Sequence, residues 1–257
     1  MFFFSTEVTS SKIHSDAPLY QRTRKAYEIA SEKVFGNILE IGAGEGYGLR
    51  MLLDNCNIAY AMDKANYTSN SLTKDLPNVK IIKNKVPPIR KIEDNSLDFD
   101  IAFQVIEHIK DDVFFLKEIH RVLKKGGVLL LTTPNSEKIL IRNPWHYREY
   151  NYTELKKLVT PIFKNTKVTG ISGYKDVQKY FSENKKQVTN FLKINLLNII
   201  NIVPTWILKI PYGIANRYNR KKLYRIHKEL IEKISKESYF EESVSTNTLD
   251  FFCVLEK

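Results

Sequence analysis

A chain of 257 residues with 43% hydrophobic content can bury one substantial core, and it reads as one domain with a large insertion. Its two cysteines, Cys56 and Cys253, lie in or beside apolar runs without metal-ligand spacing and point to a reducing compartment. Of the formal charge of +11, most falls between Lys175 and Ser238, with fourteen Lys/Arg against five Asp/Glu. A basic balance suggests nucleic acid, but this charge is segregated and describes an appendage, not the motif-bearing core. Met1–Ser5 has no basic n-region and too short an apolar stretch for a signal peptide, so a cytoplasmic location is expected.

In chain order, residues 19–34 form a lead-in helix with Leu19, Ala26, Ile29 and Ala30 among its apolar positions. An apolar strand from about Ile38 ends at Ile41 and breaks into a loop with Gly42, Gly44, Gly46 and Gly48. A helix-like stretch follows near Leu49. Alternate glycines let the backbone turn tightly and approach a ligand closely. The dinucleotide fingerprint G-x-G-x-x-G is not met, because Tyr47 stands where its third glycine would be. A second strand, 58–63, ends in Asp63, 21 residues after Gly42. A carboxylate there can accept hydrogen bonds from both ribose hydroxyls of a nucleoside; alone, it would read as a turn or cap residue.

A helix and a strand at 79–83 come next, then the turn Asp94–Ser96 and a strand over Leu97–Phe103. Helix 111–123 carries Val113, Leu116, Ile119 and Leu123 on one face and is closed by Lys124–Gly127. The run 128–133 reads as a central parallel strand, ended by Pro134-Asn135. Tyr152–Val159 is a helix with Thr153 as its cap, Lys167–Ile171 a strand and Thr248–Leu255 the last strand. This α/β alternation implies a parallel sheet with helices on both faces and a ligand at the carboxyl ends of the strands.

Between the last two strands lie too many residues for a structureless loop. Residues 191–203 are helical in pattern and are cut by Pro204; Trp206–Tyr212 continue apolar. Arg217–Lys222 is a basic cluster, and a charged helix covers roughly Lys222–Lys236. The apolar stretch is too short and too rich in Asn to span a bilayer, although peripheral membrane contact through 191–222 is open.

Glu40-x-Gly42-x-Gly44-x-Gly46 resembles motif I of class I S-adenosylmethionine (SAM) methyltransferases. Asn95-Ser96-Leu97-Asp98, Val105-Ile106-Glu107-His108, Leu116–Gly127 and Thr133-Pro134-Asn135 are similar to the type 11 branch of that family. The resemblance runs over residues 36–135 in order. It implies a Rossmann-like seven-stranded class I methyltransferase sheet in the order 3-2-1-4-5-7-6, its last strand antiparallel, with a helical insertion between the final two strands. The organisation expected is a lead-in segment and helix (1–35), a SAM-binding core (36–174), a basic helical lid or substrate subdomain (175–240) and a final core strand (241–257).

The same resemblance implies SAM as cofactor, held by Glu40, Gly42, Gly44, Gly46, Asp63, Asn84 and Gln104. Asn84 stands where relatives often have an Asp that reads adenine. Methyl transfer needs alignment first, and an oxygen acceptor also needs a base. His108, with Glu107, follows the fourth strand and is the best base candidate by its near-neutral reference pKa; the alternative is a packing role at the helix entrance. Some relatives bind a divalent ion through Glu-x-x-Glu-His, but here Gln104 replaces the first acid, so no metal is expected. Tyr20, Arg22, His146 and Arg148 are candidate acceptor contacts; Arg148 could instead pair with a nearby acid such as Glu149. The expected acceptor is a small molecule, sugar or glycan intermediate, open to an anionic one such as a nucleotide- or lipid-linked sugar. RNA modification is an alternative without a recognised RNA-binding module, and a membrane-surface or partner-binding protein on a SAM-binding fold is another.

Overall fold

The computed structural model describes residues 9, 12–64, 76–192 and 205–257. The expected helix between 63 and 79, most of the stretch 191–203, Pro204 and the start Met1–Ser5 lie outside the described residues. Among the described residues, β1 (Gly36–Ile41), β2 (Cys56–Asp63), β3 (Val79–Lys83), β4 (Leu97–Phe103), β5 (Leu123–Pro134), β6 (Asn165–Gly173), β7 (Tyr239–Glu242) and β8 (Asp250–Glu256) form one sheet. Its order is β3-β2-β1-β4-β5-β8-β6-β7. The first five strands are parallel, with Ile38 opposite Ala59 and Phe99. β8 runs antiparallel between β5 and β6, placing Cys253 opposite Leu131 on one side and Val168 on the other. This is the expected class I order with one strand added at the edge: the end of the insertion is extended, and Tyr239–Glu242 supplies it.

The chain folds into two compact units. The larger comprises Ala26–Lys138, Tyr147–Ile171 and Glu241–Lys257. Its core gathers Leu39, Met62, Leu131 and Phe251 with Phe115 and Ile119 of α2 (Asp112–Val122). The buried face of α2 is Phe115, Leu116, Ile119 and Val122, whereas Val113 is 41% exposed. Leu116 and Ile119 lie on the expected face, but by helical spacing Val113 falls outside the stripe that Phe115, Leu116, Ile119 and Val122 share. Asp111 caps the helix by accepting from the Phe114 N–H at 3.0 Å. Leu123 is already extended and opens β5, so Gly126 turns within that strand and does not end the helix. Seven residues separate Gly48 from β2, and two 3-10 turns, Leu49–Met51 and Leu53–Asn55, fill them in place of the expected helix. In α3 (Tyr152–Val159) the cap is Asn151, two residues before the expected Thr153, in a reciprocal box with Glu154.

The smaller unit comprises Met1–Lys25, Ile139–His146 and Ser172–Phe240. It holds the first part of α1 (Ala17–Ser31) with α4 (Lys175–Leu192), α5 (Thr205–Ile226) and α6 (Lys228–Lys233). The charged helix expected over 222–236 is divided at His227, whose backbone leaves the helical region. Asp16, wholly buried, accepts from Arg217 Nη1 at 2.9 and 2.8 Å and from Arg220 Nη1 at 3.1 Å. Two cations of the 217–222 cluster are thus engaged inside the protein, because a buried carboxylate must be paired. The Tyr239 hydroxyl donates to the Pro18 carbonyl at 2.6 Å. No described helix is long and apolar enough to cross a membrane.

Candidate functional site

The glycine loop leaves β1 with its backbone anchored on β2: the N–H groups of Gly42 and Ala43 donate to the Met62 carbonyl at 2.8 and 3.2 Å. Gly42, Gly44 and Gly46 have φ of +77°, +53° and +77°, conformations that side-chain-bearing residues rarely adopt. The Gly44 N–H donates to Asp63 Oδ2 at 3.0 Å, which fixes the loop to the tip of β2. A Cβ on Gly44 would meet nothing nearer than the Gly42 carbonyl at 3.9 Å, so open space lies on that side of the loop. On Gly42 it would fall 2.7 Å from Val105 Cγ2.

Glu40, at the end of β1 and 1% exposed, accepts a hydrogen bond from the Tyr27 hydroxyl through Oε1. Its Oε2 is buried without a hydrogen-bond partner among the described residues. Burial pushes the Glu40 carboxyl up to about 8; the Tyr27 hydrogen bond opposes this and the Asp63 charge adds to it. Asp100, in the middle of β4 and fully buried, has neither oxygen hydrogen-bonded among the described residues and is raised well above the usual carboxylate range by desolvation. Glu40 therefore favours a bound proton in the folded state that it lacks when unfolded at neutral pH. For Glu40 the sign is that of a raised group: the stabilisation is full below its ordinary 4.5 and is lost as pH rises through about 8. The melting temperature of the ligand-free protein should accordingly fall between about pH 4.5 and 8, and Glu40→Gln should flatten that slope; a slope unchanged by the substitution would remove Glu40 from the account.

At the end of β4, Gln104 has φ +57°, and its N–H donates to the Thr132 carbonyl at 3.0 Å while Nε2 donates to Thr132 Oγ1 at 3.3 Å. The 3-10 turn Ile106–His108 follows. Glu107 is buried, accepts from Thr133 Oγ1 at 3.2 Å, and its carbonyl accepts from the Tyr147 N–H at 2.8 Å. His108 is half-buried, its N–H on the Val105 carbonyl. Asn84, past β3, donates from Nδ2 to the Pro88 carbonyl at 2.8 Å, and its N–H to the Asp63 carbonyl at 2.9 Å. Arg148 pairs with Asp112, not Glu149, and the Tyr150 hydroxyl donates to the same Asp112 oxygen at 2.8 Å.

The structure thus gathers Glu40, Gly42, Gly44, Gly46 and Asp63 into one loop, with Asn84 and Gln104 at the ends of β3 and β4. Tyr20, Arg22 and His146 belong to the smaller unit. Tyr20 lines a cleft of about 350 Å³ with His14, Gln21, Arg24 and Glu232. Arg22 lies 5.8 Å over the Phe181 ring, and His146 Nε2 is 2.9 Å from Asn143 Nδ2. Sequence reasoning missed Tyr27, whose spacing from Glu40 obeys no local rule, and Asp112, which looked like an ordinary helix start.

Residues 39–131 match a family model described as a methyltransferase domain. A probable S-adenosylmethionine-dependent methyltransferase of Mycolicibacterium smegmatis is 33% identical over 146 residues, 54% of this chain and 56% of that protein. A second, from Mycobacterium tuberculosis, is 30% identical over 148 residues, 54% of this chain and 53% of its own length. The chain spans about half the length of the curated relatives it matches. Among solved structures, a SAM-dependent methyltransferase of Thermotoga maritima, described as a possible histamine N-methyltransferase, superposes with a TM-score of 0.56 at 16% identity. The match covers 94% of this chain and 91% of that one. The (4+2) cyclase SpnF superposes at 0.51 with 16% identity, over 90% of this chain and 80% of its own, so this fold also carries a protein of a different activity.

Proposed function

From the premise that its core is a class I SAM-dependent methyltransferase domain of the type 11 family, we propose that this protein transfers a methyl group from SAM to an oxygen of a small molecule, sugar or glycan intermediate. The observation that carries the cofactor half is the glycine loop itself. It offers open space at Gly44, a carboxylate at Asp63 tied to the loop backbone, and a buried unpaired Glu40 oxygen that a cationic group would complete. Glu40, Gly42, Gly44, Gly46 and Asp63 hold the cofactor, with Asn84 and Gln104 bordering it. The bound cofactor supplies an activated sulfonium methyl for displacement.

The chain's own contribution is mainly alignment, which can lower a barrier by several kcal/mol. His108, half-buried just past β4, takes the acceptor's proton. Glu107 holds the turn that carries it, through Thr133 and the Tyr147 N–H. The helical insertion selects the acceptor, and the cleft bearing Tyr20 and Arg24 supports an anionic one. Arg217 and Arg220, bound to Asp16, weaken the case for a nucleic-acid surface in this segment.

The test is transfer of label from methyl-tritiated SAM into cell extract. Label should enter a nuclease-resistant, low-molecular-mass fraction; label confined to RNA would sink the acceptor reading. Transfer should also persist in EDTA, since the Gln104 amide is a poor ligand for a hard cation and is engaged with Thr132. Loss of activity restored by Mg²⁺ would move Glu107 and His108 from acid–base roles to ligands.

A further inference from the structure

The cofactor loop is contacted by a residue that no motif contains. Tyr27 of α1 is 6% exposed, with its ring edge-to-face on Phe103 at 4.9 Å and on Tyr47 of the glycine loop at 5.8 Å. Its ring occupies the space beside Gly48 so fully that a Cβ there would lie 2.0 Å from Tyr27 Cζ. That is a packing reason for the fourth glycine, which the loop's φ angles do not require. The hydroxyl so placed donates to Glu40 Oε1, and Oε2 of the same carboxyl has no hydrogen-bond partner among the described residues.

We propose that Tyr27 is a positioning residue for cofactor binding: it holds one oxygen of Glu40 so that the other is reserved for the ligand's ammonium group. This rests on the SAM reading above. A buried carboxyl free to rotate would seek both its hydrogen bonds from the protein; one pinned by a phenol and flanked by apolar rings keeps a fixed unsatisfied oxygen. The groups acting on Glu40 are Tyr27 from the lead-in helix and Asp63 from β2, with Tyr47 of the loop acting on Tyr27. Burial holds the Tyr27 phenol well above its ordinary range, so it remains a donor. Burial and Asp63 also favour a protonated Glu40 without ligand. Arrival of an ammonium group reverses that balance, and the proton leaves Glu40 for solvent as the ion pair forms. Cofactor uptake near neutral pH is therefore coupled to release of a proton, and the lead-in helix sets how easily it is released.

The experiment is titration calorimetry with S-adenosylhomocysteine, which keeps the ammonium group, in phosphate and in Tris at several pH values. Wild type should show a buffer-dependent enthalpy, the mark of proton release, and affinity rising with pH towards the Glu40 value. Tyr27→Phe keeps the ring and its packing but removes the bond that favours the carboxylate. It should bind roughly ten- to a hundred-fold more weakly, with the pH dependence displaced upward, and melt a few degrees lower because a buried acceptor loses its donor. Glu40→Gln should lose the proton release. Wild-type affinity and proton release in Tyr27→Phe, or a lowered melting temperature with an unchanged pH profile, would reduce Tyr27 to packing. If wild type binds no S-adenosylhomocysteine, the cofactor reading itself fails and takes this inference with it.

Discussion

Gly44→Val should lower the affinity for S-adenosylhomocysteine at least about a hundred-fold, some 2.7 kcal/mol, while leaving a folded protein. Two effects act in the same direction. At φ +53° a β-branched residue is a steric outlier, and holding it there costs on the order of 1–3 kcal/mol or shifts the loop off its Asp63 anchor. The added methyls would also enter the open space beside the loop, where, among the described residues beyond Gly44's chain neighbours, the nearest atom to the Cβ position is the Gly42 carbonyl oxygen at 3.9 Å. Because the side chain strikes nothing in the ligand-free protein, stability should drop modestly while binding collapses. Gly42→Val is the contrasting control: its Cβ meets Val105 at 2.7 Å, so it should damage the fold as well. Calorimetry for binding and a thermal melt for stability separate the two variants, and equal affinity in Gly44→Val would remove the loop from cofactor binding.

Asp16→Ala should be among the most destabilising single changes in the smaller unit. It removes the only carboxylate shown holding both Arg217 and Arg220, whose side chains are 19% and 9% exposed. Breaking a buried ion pair from one side is worth roughly 3–5 kcal/mol, and the partial exposure of Arg217 places this one near the lower value. At about 2–4 °C per kcal/mol for a chain of this size, the melting temperature should fall by roughly 6–12 °C. Replacing both arginines with methionine in the same background should recover much of the loss, because the cost lies in charges left without a partner. A loss under about 1 °C would mean that water reaches the arginines freely. The same reasoning complicates any attempt to delete the insertion, which would leave Asp16 buried against nothing.

The core was legible from sequence wherever a local pattern has one structural solution. Val79–Lys83 and Leu97–Phe103 fall where short apolar runs between turn residues place them. The loop glycines at 42, 44 and 46 were readable because positive φ demands them. What failed were features decided by space or by distant partners. The stretch after Leu49 looks helical, but two 3-10 turns occupy it before the strand at Cys56. Val113 is apolar, yet helical spacing puts it off the face set by Phe115, Leu116, Ile119 and Val122. Glu40 was identifiable as a site residue; its pairing with Tyr27 of a separate helix was not, since thirteen residues is no helical or strand repeat across that junction. Asp16 and Arg217 are 201 residues apart, and nothing in either neighbourhood names the other.

The position of β8 has a consequence for how the molecule comes into being. Residues 250–256 lie inside the sheet, hydrogen-bonded to β5 on one side and β6 on the other. A nascent chain carries the edges of β5 and then β6 bare until β8 is made, and the whole insertion emerges in the interval. Until Glu256 has left the ribosome the sheet cannot close, so vectorial folding can complete only the β1–β5 half. These late, long-range pairings make the final step slow and expose unpaired edges to neighbouring chains, the condition under which holding chaperones matter most.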